Sequence, residues 1–453
     1  MQSVRLLAAA ALALAAPARA DAPPAAAAQS STPAASAAES ASAALPAQLT
    51  LDEALRIFRE RGFDLLLADA QVASARGDVD VAGASPNPSV SGSVARSFGY
   101  DASQCPGCSS VGFSVGVSES GALSDLLSNK RGLRLDVARA ALEAAQRSRD
   151  DAARTLELSL KQAWVGALQA EAQLALAADA KESTEKTRAL NEKRFSLGAV
   201  SEADLARAEV AELETEQLHD QAVQQLDTAK AQLAFLLGAR GPMPTFSLDP
   251  HGLDFSLPAP LAQASPDELL GDALAHRPDL RALEQQVARA ESSISLARRQ
   301  RWGDPDLSVS YAQQGTGQDA IQPPTLTVGL SIPVPVLYQQ QGEIAKAEAD
   351  LRTQKIGVEK ARAQVTNDVR AAWSAFVAAR AQMERMDGRL FARALRARDL
   401  IEVQYSKGAA TLLDLLDAQR TLLAVSGERL TLLANYWNAV AQLEAASAKE
   451  LRK

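Results

Sequence analysis

The side chains able to do chemistry in this sequence are few and scattered. The three histidines, His219, His251 and His276, lie far apart, and no H-E-x-x-H, G-x-S-x-G or phosphate-loop pattern surrounds them. An enzyme is therefore not expected, and neither is a resident metal or cofactor. Met243, Met383 and Met386 form no methionine or histidine ladder, so metal export is neither supported nor excluded. Cys105-Pro106-Gly107-Cys108 has the C-x-x-C spacing of a redox pair or of half a zinc site. Neither a second half-site nor a helix start accompanies it, which points to a small structural disulfide between Cys105 and Cys108. Of the 55 acidic residues, Asp204, Asp414 and Asp417 lie just beyond the Gly198 and Gly408 reversals. Asp414 and Asp417 are three residues apart and so share one helical face. Gathered from several copies near one axis, such carboxylates would focus a negative field that favours cations and responds to protonation or divalent ions. Alone, each would simply complement the N-terminus of a helix.

Those aspartates need helices to carry them. Proline inside a helix costs about 3 kcal/mol, and none of the 20 prolines falls within 107–241 or 336–453. Both stretches are dense in Ala, Leu, Glu, Gln, Arg and Lys, the strong helix formers. Each is expected to fold as a helical hairpin, with helices at about 129–195 and 201–237 in the first half and about 343–405 and 411–448 in the second. At ~1.5 Å per residue the longest would reach on the order of 100 Å, a length that needs a partner along its whole course. Leu205, Ala208, Ala211, Thr215, Leu218, Ala222, Leu226, Ala229, Leu233 and Leu236 follow a mixture of steps of three and four, and Leu416, Leu423, Leu430 and Trp437 stand seven apart. Periodicity alone fits a helical barrel and a soluble bundle equally.

The chain also says the same thing twice. Phe63-Asp64-Leu65, Asn87-Pro88-Ser89-Val90-Ser91, Trp164 and Phe195-Ser196-Leu197-Gly198 recur in order as Pro278-Asp279-Leu280, Asp304-Pro305-Asp306-Leu307-Ser308, Trp373 and Tyr405-Ser406-Lys407-Gly408. Two repeats, 47–245 and 266–453, are thus joined by a linker at 246–265. Ahead of them, Arg5, the apolar run Leu6 to Ala16 and Ala18-Arg19-Ala20 have the order of a signal peptide at 1–20. Residues 21–46 are rich in Ala, Pro and Ser and read as a flexible leader.

Four short segments alternate with a period of two, the mark of strands, at about 88–100, 110–118, 305–313 and 324–332. Val90, Val94 and Phe98 alternate with serines; Val111, Phe113, Val115 and Val117 with Gly and Ser; Leu326, Val328, Leu330 and Ile332 with Thr, Gly and Ser. One apolar face and one face of hydroxyls and glycine is the pattern of a transmembrane barrel around water, whereas a soluble sheet carries Lys, Glu and Arg on its wet side. The mature chain offers no apolar stretch of about 18 residues that would make a membrane-spanning helix. Arg96 breaks the apolar face, and a cation facing lipid at mid-bilayer costs about 2 to 4 kcal/mol, though near an interface it can snorkel. Barrels of this kind start at about eight strands, so copies must pool theirs, and three would supply twelve. The net charge of −8 argues against nucleic acid.

With these features the chain resembles the TolC family of outer-membrane efflux proteins over essentially all of 47–448. The motifs that carry the likeness are Leu51-Asp52-Glu53-Ala54-Leu55, the strand exit Ile332-Pro333-Val334-Pro335, and the two tips. The more specific tip is Tyr405-Ser406-Lys407-Gly408 with Leu412-Leu413-Asp414-Leu415-Leu416-Asp417-Ala418-Gln419. The resemblance implies a mainly α chain with a transmembrane β-barrel: a homotrimer with 12 strands in outer-membrane lipid and an α-helical barrel in the periplasm. It implies a passive conduit fed by a periplasmic adaptor protein and an inner-membrane pump. It also implies a periplasmic gate at Asp204, Tyr405, Asp414 and Asp417, and adaptor contacts at Leu197, Gly198, Val200, Lys407, Gly408 and Ala409. The first-half strand exit, Glu119-Ser120-Gly121-Ala122, departs from the repeat in lacking the proline of the second. A rival reading, a periplasmic coiled-coil scaffold, shares the helices but leaves the four strands unexplained; solubility without detergent would favour it.

Overall fold

The structure is a computed structural model that describes residues 45–96, 98, 110–119, 121–122, 125, 128–240, 245–314 and 324–451. The expected signal peptide, nearly all of the leader, and Cys105 and Cys108 lie outside the described residues.

A short strand β1 (Gln48–Leu49) leads into α1 (Leu51–Arg61), which starts where the Thr50 hydroxyl accepts from the Glu53 amide and Glu53 reaches back to the Thr50 amide. Next come α2 (Phe63–Gly83), the strands β2 (Ser89–Arg96) and β3 (Val111–Glu119), and the long helices α3 (Lys130–Ser196) and α4 (Glu202–Leu236). Strand β4 (Ser247–Leu248) pairs in parallel with β1 and ties the start of the first repeat to the connection between repeats. After a 3-10 turn (Pro250–Leu253) and α5 (Ala259–Gln263), the second repeat begins with α6 (Pro266–His276) and α7 (Pro278–Gln300). It continues with β5 (Asp306–Gln314), β6 (Thr325–Ser331), α8 (Gln341–Arg385), α9 (Ala392–Ser406) and α10 (Leu412–Ser447).

The 67 residues of α3 form one uninterrupted helix. Its counterpart is broken: where one helix at about 343–405 was expected, a π-helical turn at Met386–Phe391 separates α8 from α9. Met386 is buried beside Met383 and Leu433, while Asp387 and Phe391 both engage Arg429 of α10, the first through an ion pair of 2.6 Å and the second through its ring face at 5.1 Å. The wide turn brings both groups to one guanidinium, an arrangement α3 does not need.

The main core lies midway along α3 and toward the C-terminal end of α10. Leu160, Trp164 and Leu168 of α3 pack with Val365, Val369 and Phe376 of α8 and with Tyr436, Val440 and Leu443 of α10, and Ile57, Phe58 and Leu65 of the first repeat close it. Trp373, the repeat counterpart of Trp164, packs against the same cluster. A separate small cluster near the far ends of the hairpins joins Ala208 and Ala211 to Tyr405, Leu412, Leu415 and Leu416.

The four longer strands make one antiparallel sheet in the order β2-β3-β5-β6, with β2 and β6 as open edges. Its register sorts the faces. Ser91 pairs with Gly116, Gly116 with Ser310 and Ser310 with Thr327, whereas Val90 pairs with Val117, Val117 with Val309 and Val309 with Val328. Hydroxyls on the polar face meet across strands, Ser89 to Ser118 at 2.7 Å and Ser93 to Ser114 at 2.9 Å. The valines and leucines of the other face are largely exposed, as a lipid-facing surface requires.

At the neck between sheet and helices, the proline missing from the first-repeat exit proves to be relocated. A Cβ on Gly121 would lie 2.1 Å from Cγ of Pro86, so Pro86, ahead of β2, packs on the glycine beyond β3. In the second repeat the roles are reversed: Gly303, ahead of β5, lies under Pro333 beyond β6, where a Cβ would meet Cγ at 2.5 Å. The contact is kept and its partners are exchanged. The nearly buried Lys130 at the start of α3 adds a bridge between repeats, donating to the Trp302 carbonyl at 2.5 Å and to Asp304 Oδ1 at 2.6 Å.

Candidate functional site

Both hairpin tips are built the same way. Helix α3 stops at Ser196, Leu197 and Gly198 turn the chain with Gly198 at φ +69°, and the amides of Gly198 and Ala199 donate back to the carbonyls of Phe195 and Arg194 at 2.8 Å each. Helix α9 ends likewise, with Gly408 at φ +76°, its amide bonded to the Tyr405 carbonyl and that of Ala409 to the Gln404 carbonyl. This closure needs a left-handed residue after the helix, which glycine adopts without strain. It leaves Leu197, Gly198, Lys407, Gly408 and Ala409 exposed and Val200 half-buried, with Leu197 82% exposed at the very end.

The three aspartates do not share one environment. Asp414 closes the cap of α10: the Thr411 hydroxyl accepts from the Asp414 amide, and Asp414 Oδ2 accepts from the Thr411 hydroxyl at 2.6 Å and the Thr411 amide at 2.9 Å. Asp204 does the same for α4, taking the Ser201 hydroxyl at 2.7 Å and Arg207 Nη1 at 3.1 Å. Hydrogen bonding to Thr411 and to Ser201, respectively, holds each carboxyl below its ordinary range. Both therefore have work within the helix end. Asp417, one turn further along α10, is exposed and takes no part in the cap. In the first repeat its place is held by Arg207, likewise three residues after the capping aspartate.

Tyr405 is not at the surface. It is 6% exposed, and its hydroxyl donates to Oδ1 of Asn191, which has 0% exposure, at 2.9 Å; the Arg194 guanidinium covers its ring at 4.7 Å. Asn191 belongs to a polar seam that links the hairpins. Its Nδ2 donates to the Thr187 carbonyl, Thr184 and Thr215 share a hydrogen bond of 2.6 Å, and Gln419 donates to Ser183 at 3.1 Å. Beside the seam opens a cavity of about 630 Å³ lined by Leu176, Leu218, Leu416 and Leu423, with Glu214 and Arg420 ion-paired at 2.7 Å. Asn191, Arg194 and Arg207 were missed from sequence. Thr184, Thr187 and Asn191 do follow helical spacing, and a polar residue held to an otherwise apolar stripe was the available signal.

Among the described residues no group of three or more His, Cys, Asp or Glu could hold a metal ion, and no helix is long and apolar enough to cross a membrane. The sequence model of outer membrane efflux proteins matches residues 54–239 and 269–449, most of both repeats. The cobalt-zinc-cadmium resistance protein CzcC of Cupriavidus metallidurans is 24% identical over 399 residues, 87% of this chain and 89% of that one. The pyoverdine export outer membrane protein OpmQ of Pseudomonas putida is 28% identical over 394 residues, covering 82% of this chain and 80% of its own. Among solved structures, CusC superposes with a TM-score of 0.71 at 20% identity, over 88% of this chain and 92% of that one. The open-state MtrE outer membrane channel of Neisseria gonorrhoeae does so with a TM-score of 0.69 at 21% identity, over 89% of each chain.

Proposed function

The chain belongs to the outer membrane efflux protein family and serves as an outer-membrane channel of a tripartite export system, and on that premise we propose how its own residues build the conduit and its gate. The observation that carries the reading is the four-stranded sheet, open at β2 and β6, with one apolar face and one face of hydroxyls and glycine. Unpaired edges inside a bilayer leave backbone groups without partners, so the sheet must close on other copies. Three copies, each offering β6 to the β2 edge of the next, give a closed barrel of twelve strands around a neutral, hydroxyl-lined lumen.

The two hairpins of each protomer extend this tube into the periplasm and end at the tips. There Leu197, Gly198, Val200, Lys407, Gly408 and Ala409 form the contact for the periplasmic adaptor, which joins the channel to an inner-membrane pump. The exposed Leu197 supplies an apolar anchor and Lys407 a charge beside it. Substrate passes without bond chemistry, and the choice of cargo is left to the pump.

Of the expected gate residues, Asp417 is the one we assign to the passage itself. Asp204 and Asp414 act as caps that hold the tips in shape, and Tyr405 locks the two hairpins to each other. Because Asp417 and Arg207 hold the same place in the two repeats, a ring of six hairpins presents anion and cation in alternation, a closure that adaptor contact would loosen and that a divalent ion held by the Asp417 carboxylates would tighten.

The test is conductance of the full-length trimer in planar bilayers. The parent should give detergent-dependent trimers with small openings, and Asp417→Asn should raise the conductance and relieve block by divalent ions. Asp414→Asn should instead loosen the helix cap. Protein that is soluble without detergent and gives no conductance would overturn the barrel and favour a periplasmic scaffold.

A further inference from the structure

Among the described strand residues the apolar face of the sheet holds one cation, and its position is specific. The alternation that puts Val90 and Val94 on that face puts Arg96 there too, and Arg96 pairs with Val111 in the final rung of the β2–β3 ladder. Helices α2 and α3 join the sheet at its other end, next to Ser89 and Glu119. Since the helical part lies in the periplasm, the Arg96 rung stands at the outer leaflet. Among the described strand residues the only other charge on this face is Glu119, at the periplasmic end, and its carboxylate turns back on its own chain to accept from the amides of Gly121 and Ala122.

A second feature marks the height of the membrane boundary independently. Phe113 and Tyr311, on the same apolar face, meet with ring centres 6.3 Å apart and ring planes tilted by 43°, and the Tyr311 hydroxyl donates to Oε1 of Gln313 at 2.9 Å. An aromatic pair whose polar end is satisfied by an amide belongs at the edge of the hydrocarbon, as in the girdles of membrane barrels. Arg96 stands beyond it along the ladder, exposed, with the 94% exposed Phe98 two residues further on. At that height a guanidinium on a lipid-facing surface meets headgroups. Its planar fork of donors matches a phosphate better than any neutral group there.

We infer that Arg96 binds the phosphate of an anionic lipid headgroup in the outer leaflet, one site on each protomer. The inference rests on the membrane placement of the sheet and adds a ligand to it: the outer rim of the barrel selects lipid by charge.

The experiment uses the full-length trimer in nanodiscs made from equal parts phosphatidylglycerol and phosphatidylcholine, with retained lipid counted by native mass spectrometry. The parent should retain phosphatidylglycerol over phosphatidylcholine. Arg96→Gln should reduce that preference roughly fivefold, and Arg96→Lys should keep part of it. An inserted Arg96→Gln trimer with the parent's preference overturns the proposal, and so does a parent with no preference. Should Arg96→Gln fail to assemble, the preference of the parent and of Arg96→Lys decides the matter. A parent that does not insert at all would count against the barrel reading itself, a failure distinct from inserted trimers that ignore lipid charge.

Discussion

Replacing Tyr405 with phenylalanine removes one oxygen from the centre of the tips and leaves Oδ1 of Asn191 facing a site without solvent. A buried acceptor stripped of its donor costs about 1 to 3 kcal/mol, which corresponds to roughly 5- to 150-fold in a local equilibrium. The tip cluster around Tyr405 is separate from the Trp164–Tyr436 core, so the loss should stay local. Hydrogen exchange of the assembled trimer is the assay. Amides in 187–196 and 401–412 should exchange faster by that factor, while those around Trp164 and Trp437 keep their protection. Adding Asn191→Leu to Tyr405→Phe removes the orphaned acceptor and should restore much of the protection, because an apolar pair in place of a hydrogen-bonded one is nearly neutral. Unchanged exchange at the tips would refute the assignment of Tyr405 as the link between hairpins. Acceleration spread evenly through the core would refute the independence of the two clusters.

The capping aspartates predict a pH dependence of definite sign. Hydrogen bonding to Ser201 and to Thr411 lowers the folded pKa of Asp204 and Asp414, so their contribution is present above the unfolded pKa and is lost only as pH falls through the folded value. Tip protection, corrected for intrinsic exchange, should hold level from about pH 7 to about pH 5 and decline only below the ordinary carboxylate range; a decline near neutrality would contradict it. At the neck, Gly121→Ala and Gly303→Ala each drive a methyl into a proline, at 2.1 and 2.5 Å. Each should cost about 1 to 3 kcal/mol and lower the melting temperature of the trimer in detergent. Gly77→Ala, whose methyl meets nothing within 4 Å on an exposed part of α2, should raise it, with a gain of about 0.5 to 1 kcal/mol. Equal behaviour of the three variants would dismiss the neck contacts.

Much of the architecture was legible because it is written in period and punctuation. Prolines expelled from two long stretches outlined the helices, and valines alternating with serines outlined the sheet and its two faces. The glycines at 198 and 408 marked the reversals because only a left-handed residue closes a helix in this way. The π turn at Met386–Phe391 was not legible, since it answers to Arg429 on a different helix rather than to any local preference. Asp204 and Asp414 differ from it: their positions suggested both a charged ring and helix N-terminal groups, and the hydroxyls that engage them, on Ser201 and Thr411, lie only three residues ahead, a cap spacing open to local reading. Tyr405 was expected in the periplasmic gate; its burial, which no local pattern marks, depends on a partner 214 residues away in the other repeat.

The exchanged proline and glycine at the neck bear on how such a chain can be recombined. A hybrid joined between β2 and β3, or between β5 and β6, would bring together two donors, and a parent with the opposite arrangement would set proline against proline or leave two glycines facing a gap. Joints placed in the linker between the repeats keep Pro86 with Gly121 and Gly303 with Pro333. The two members of each contact thus have to be exchanged together.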